Sequence, residues 1–159
     1  MAADASFADG AEQALVLLAE GAGDVPVLSA LVQDALFLAG DARWDRKARR
    51  FAMLINRFRW EDRAAAEAAK RPYERVRSLL VISDVGRAAT QGLDRLPADM
   101  VLSILSLTWE EAADGAGHLL ITLAGDGAIR LEAECVNMVL KDVTKPYLAP
   151  SGMAPTHPA

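Results

Sequence analysis

The chain has 159 residues, 52% of them hydrophobic, with 17 Lys+Arg against 22 Asp+Glu and a formal net charge of −5. That length suits one domain, and that apolar share excludes a chain too polar to fold. One cysteine, Cys135, excludes an internal disulfide and a thiolate zinc cluster.

Residues 1–12 hold Asp4, Asp9 and Glu12, with neither the basic start nor the apolar stretch of a secretory leader, and are expected to be disordered. No later run approaches the roughly 18–20 apolar residues of a membrane span, so a cytoplasmic protein without a membrane partner is expected. Ala14 to Leu18 is a short apolar run stopped by Gly21 and Gly23, and reads as a strand. Asp24 before Val25-Pro26 reads as an N-cap with a first-turn proline. Val25, Leu28, Leu31 and Val32 then recur at helical spacing, which predicts a helix of about ten residues. From Leu36 the period becomes two: Leu36, Leu38, Ala42 and Trp44, the charged turn 45–49, and a return through Phe51, Met53 and Ile55 predict a hairpin.

Glu61 to Lys70 is alanine-rich and charged, and suits either a surface helical turn or a loop. Val76 to Val85 contains Leu79-Leu80-Val81-Ile82, apolar on both faces, as a central strand is. Gly86 and Gly92 bracket a piece that reads as a loop. Val101 to Trp109 and Val136 to Val143 both fit a helical stripe as well as a strand, and are assigned as strands. Leu119 to Leu123 and Ile129 to Glu134 form a hairpin around Gly125-Asp126-Gly127, with Asp126 and Gly127 expected at positive φ. After Lys145, Pro146, Pro150, Pro155 and Pro158 predict a disordered tail over 146–159, leaving one globular domain over 13–145.

Enzyme signals are poor. No phosphate loop, dinucleotide fingerprint or nucleophile elbow is present, and His118 and His157 stand in no metal-ligand spacing. No catalytic, cofactor-binding or metal-binding residue is therefore assigned, and no cofactor. Glu132 and Glu134 share a strand face and are read as a solvated outer face paired with Arg130 or the basic hairpin. Cys135 reads as a small buried hydrophobe.

Charge is uneven. Arg43 to Arg77 holds 12 basic and 5 acidic residues, leaving 5 basic and 17 acidic for the rest. Within it, Arg43, Trp44, Arg46, Lys47, Arg49, Arg50, Arg57, Arg59 and Trp60 combine guanidinium forks with aromatic faces. Such a set suits an anion- or partner-binding face. If it binds anions, the turn's cations should stand unpaired beside an accessible Trp44. If it is architectural, they should meet Glu132, Glu134 or Glu110-Glu111. Alternation puts Arg57 and Arg59 on the face of Phe51, Met53 and Ile55 but Phe58 and Trp60 on the other, so either a bulge lies near Asn56 or the strand leaves the core there.

Gln33-Asp34-Ala35, the Trp44 to Arg50 turn, Arg50-Phe51-Ala52, Asn56-Arg57-Phe58-Arg59-Trp60, Val101-Leu102-Ser103, Ile129-Arg130-Leu131-Glu132 and Glu134-Cys135 together resemble an uncharacterised family of small proteins, mainly alphaproteobacterial, known as a domain of unknown function. The resemblance runs from about Leu15 to Val143. It implies a bacterial, cytoplasmic protein and brings no site residues.

The expected fold is α+β, mainly antiparallel β, with one helix after the first strand. Seven to nine strands would form a half-barrel or two packed sheets, of which a pleckstrin-homology-like barrel is one form. The expected function is a non-enzymatic binding or protein-interaction module. A protein partner or self-association is favoured over an anionic ligand or nucleic acid. The alternative is an enzyme whose Arg/carboxylate site no motif reveals.

Overall fold

A computed structural model describes residues 14–93 and 95–156. The expected disorder of residues 1–12 and the tail's His157 lie outside the described residues. Those described form eleven strands and two short helices: β1 (Val16–Ala19), α1 (Val25–Val32), β2 (Leu36–Leu38), β3 (Ala42–Asp45), β4 (Arg50–Phe58), α2 (Arg63–Ala69), β5 (Glu74–Ile82), β6 (Val85–Gln91), β7 (Val101–Glu111), β8 (Gly117–Leu123), β9 (Ala128–Ala133), β10 (Met138–Asp142) and β11 (Tyr147–Leu148). The fold is α+β and mainly antiparallel, as its alternating sequence predicts.

All eleven strands belong to one open sheet, ordered β1-β10-β5-β4-β2-β7-β8-β9-β6, with β11 on β5 and β3 on β4. Two differences from the expected count have local causes. The stretch after Gly86 is a strand, not a loop: small residues at Ala88 and Ala89 hid its alternation, and a register shift between Val85 and Arg87 broke it. The chain also adds a short strand past Lys145. Pro146 directly precedes β11, and Ala149 N–H donates to Tyr73 O at 2.9 Å.

The inward sides of the strands meet around one core that includes Phe51, Met53, Ile55, Leu80, Ile121 and Leu131. The sheet curls enough for its far end to return to its middle, where Val85 N–H donates to Arg49 O at 3.0 Å. β7 carries much of that curl. Val101 to Ser103 pair with β2, and from Ile104 the strand pairs with β8, with a register shift between Ile104 and Ser106. A bulge of this kind bends a strand and increases its twist.

Helix α1 lies along the edge of β7 that β2 leaves open. Val25, Leu28 and Val32 are buried, and Ser29 Oγ accepts from Leu107 N–H at 2.9 Å. Asp24 directly precedes the helix but does not cap it through its side chain. Its Oδ2 accepts from Glu20 N–H and Gly21 N–H at 3.1 and 3.3 Å, within the 3-10 turn Ala22–Asp24 that leads into the helix. The turn between β8 and β9 also differs in detail. Gly125 (φ 80°) and Asp126 (φ 68°) are the positive-φ residues, and Gly127 is not.

Candidate interaction surface

The Arg43 to Trp60 residues do not share one face. β4 continues without a bulge to Phe58 opposite Arg75, so Arg57 keeps its inward direction and is 0% exposed. A cation there requires compensation, since an isolated buried charge costs several kcal/mol. Its two terminal nitrogens bind Glu61 at 2.9 and 3.0 Å, and Nη2 also donates to Asp142 Oδ1 at 2.9 Å. Ser78 Oγ donates to the same Asp142 oxygen at 2.6 Å and accepts from Arg57 Nε at 3.0 Å. Asp142 Oδ2 accepts from Leu15 N–H at 3.0 Å, so the network ties β1, β4, β5 and β10 together. Burial pulls the Arg57 pKa down, but its bonds to Glu61 and Asp142 outweigh that and hold it above its ordinary value.

Arg59 is likewise enclosed at 7% exposure, with Nη1 on Glu74 at 2.9 Å. Glu74 and Asp62 in turn meet Arg71, whose Nη1 donates to Asp62 Oδ2 at 2.6 Å. Those bonds hold the Asp62 carboxyl below its usual range. Phe58 and Trp60 fill the other side of the strand end: their rings meet edge to face at 4.7 Å, and Trp60 Nε1 donates to Gln33 O at 2.9 Å. Arg57, Phe58 and Arg59 of this motif are thus enclosed within the fold, while Asn56 and Trp60 stay half-buried.

The charged turn is different. Arg49 meets Glu134 at 2.8 Å, an architectural contact. The exposed side chains of Arg43, Arg46, Lys47 and Arg50 make no hydrogen bond or ion pair to any described residue. Trp44 points inward beside Phe51, Ala88 and Leu93, half-buried in the seam between β3 and β6.

What the sequence reading missed is the outward face of the sheet. Register places side chains on it row by row. One row runs Leu18, Val139, Val81, Ala52 and Arg43 across five strands. The next runs Val16, Lys141, Leu79 and Leu54. A third runs Arg77, Asn56, Leu36 and Ser103, with Leu38 opposite Val101 beyond it. Val16, Leu18 and Val101 are 56%, 57% and 57% exposed, and no helix among the described residues crosses these rows. The signal was present in Leu79-Leu80-Val81-Ile82: a strand apolar on both faces needs two coverings, and this one has one.

Around this aliphatic field stand Arg43, Arg50, Arg77 and Lys141, against Asp41 and Asp45. Elsewhere the titratable groups form scattered pairs. His118 Nε2 lies 3.5 Å from Glu132 Oε1 in a shallow concavity shared with Arg49 and Glu134. Asn137 Nδ2 donates to Asp84 at 2.9 Å and keeps that carboxyl low. Partial burial and Asp84 push the exposed Cys135 thiol up, the reverse of an activated nucleophile. Among the described residues, no three His, Cys, Asp or Glu side chains gather to hold a metal, and no helix is long and apolar enough to cross a membrane.

A family model described as a protein of unknown function (DUF2948) matches residues 15–157. No curated protein and no solved structure matches the chain.

Proposed function

The chain belongs to that family of proteins of unknown function, and from this premise we propose that it is a non-enzymatic binding module that docks an acidic, aliphatic segment of a partner protein on the outward face of its sheet. The observation that carries the reading is the aliphatic field across β1, β10, β5, β4, β2 and β7, rimmed by cations that form no ion pair with any described residue. Contiguous apolar surface of this kind mostly serves recognition. Its charge selects the partner: two copies face to face would oppose like charges, whereas a segment bearing Asp or Glu between aliphatic residues complements both features.

The enzyme reading has less support. The carboxylates with displaced pKa values, Asp62, Glu67 and Asp84, are all pushed down by hydrogen-bond donors. A general acid or base needs the opposite shift, toward the working pH. A bacterial cytoplasm is the setting we assign, because an exposed lone thiol at Cys135 suits a reducing compartment.

The test is fluorescence anisotropy with a short synthetic peptide alternating leucine and glutamate, against the same peptide with lysine for glutamate. The acidic peptide should bind, more weakly as salt rises, and Leu38→Glu with Val101→Glu should remove binding. Equal binding of both peptides, or of neither, defeats the proposal. Binding to anionic vesicles in place of the peptide would reassign the face to lipid.

A further inference from the structure

The outward face has one gap. β2 pairs with β4 only at Leu36 opposite Asn56, and β3 takes over at Ala42 opposite Met53. Between these registers Leu54 and Ile55 have no strand partner on that side, because the chain after Leu36 swings to β7, where Leu38 meets Val101. The gap leaves two residues of β4 unpaired, and the paired residues on either side, Met53 and Asn56, stand three steps or about 10 Å of strand apart. It forms an open cavity of about 260 Å³ with aliphatic walls from Leu36, Leu38, Leu54 and Val101. Asn56 and Arg77, opposite each other in register, line one end, and Asp41, just before Ala42, lines the other.

The Asn56 end is set for an anion. Arg75 Nε donates to Asn56 Oδ1 at 2.7 Å, which fixes the amide and leaves its NH₂ without an acceptor among the described residues. The exposed Arg77 guanidinium has no hydrogen bond or ion pair to a described residue. A fork and an amide beside an aliphatic trough are the donor set of a fatty-acid-like site: apolar walls for the chain and few polar groups to orient its head.

We propose that this gap binds an unbranched aliphatic monocarboxylate of about six to ten carbons, a length set by the 10 Å opening. The carboxylate sits on Arg77 and Asn56, and the chain lies between the leucines toward Asp41. Asp41 at the far end repels a second carboxylate, so the site selects mono- over dicarboxylates. This goes beyond protein docking and rests on the gap, not on the whole face.

Amide NMR spectra titrated separately with octanoate, 1-octanol and suberate test it. Octanoate should shift residues 36–38, 54–56 and 77, and bind about tenfold tighter than the alcohol or the diacid, the gain from one charge-assisted contact. Arg77→Gln should erase that advantage over octanol without disturbing the rest of the spectrum, because the side chain is exposed. Val101→Trp, also at an exposed position, should fill the gap and abolish octanoate binding. Equal affinity for octanoate and octanol, or shifts centred on Val16, Leu18 and Val139, would overturn the assignment. Either result leaves the acidic-peptide titration standing, so the two proposals fail separately.

Discussion

Asp142 accepts from Arg57, from Ser78 and from the Leu15 amide, with its side chain only 4% exposed. Removing one partner of such a pair strands the other without water. Asp142→Ala should therefore cost about 3–5 kcal/mol in chemical denaturation, whereas Arg57→Met with Asp142→Leu should cost much less than the summed single losses. A similar argument gives Asp62 a pH signature. Hydrogen bonds from Arg71 depress its folded pKa, so its contribution is complete above the ordinary carboxylate pKa of about 4 and is lost as pH falls through the folded value. Melting temperatures of the wild type and Asp62→Asn should differ by a constant amount from neutral pH down to about 5 and converge at lower pH. A gap that widens on acidification would show that Arg71 does not hold this carboxylate in its charged form. In the β8–β9 turn, Gly125 occupies the left-handed region at φ 80°. Gly125→Val should cost roughly 1–3 kcal/mol. Gly127→Ala should cost less, since its φ is not positive and the nearest atoms to its added carbon are the Leu123 side chain at 3.3 Å and Gln91 O at 3.5 Å.

At the scale of elements, helix α1 takes over where β2 stops along β7; backbone bonds tie Asp34 and Ala35 to Ile104, and beyond them the Ser29 hydroxyl receives the Leu107 amide. Ser29→Ala leaves the Leu107 amide without its acceptor and should cost about 1–2 kcal/mol by thermal melt. A cost near zero would mean that solvent reaches this edge. The elements that alternate cleanly were legible beforehand: β4 through Phe51, Met53 and Ile55, and the β8–β9 hairpin through its glycine turn. The ambiguous runs at Val101 and Val136 proved to hold strands, Val101–Glu111 and Met138–Asp142, with their β-branched residues prevailing over a helical spacing. β6 was not legible, because Ala88, Ala89 and Gly86 supply too little contrast between faces. Nor was the fate of Arg57. Local alternation placed it correctly on the core side, but the carboxylate that admits it there, Asp142, is 85 residues distant in the chain. Periodicity reports which side a residue takes and not what long-range partner awaits it.

For the whole molecule, one curled sheet encloses a single core and leaves an aliphatic exterior over half its width. This explains why the composition looked sufficient for a well-packed domain and concealed a surface: 52% hydrophobic residues furnish more apolar side chains than the interior takes. A face kept for binding differs from one kept for folding in what its loss does. Leu38 and Val101 stand at 39% and 57% exposure on β2 and β7, outside the core cluster. Charged replacements there remove little buried area, and surface changes of this kind usually stay within about 0.5 kcal/mol each. The variant carrying Leu38→Glu and Val101→Glu should thus melt within a few degrees of the wild type while losing the acidic peptide and resisting aggregation better at high concentration. Differential scanning calorimetry and light scattering on the same preparations read both effects. A drop in melting temperature as large as that of Asp142→Ala would make these two residues part of the fold's own support, and the outward face would then be architecture and not a docking surface.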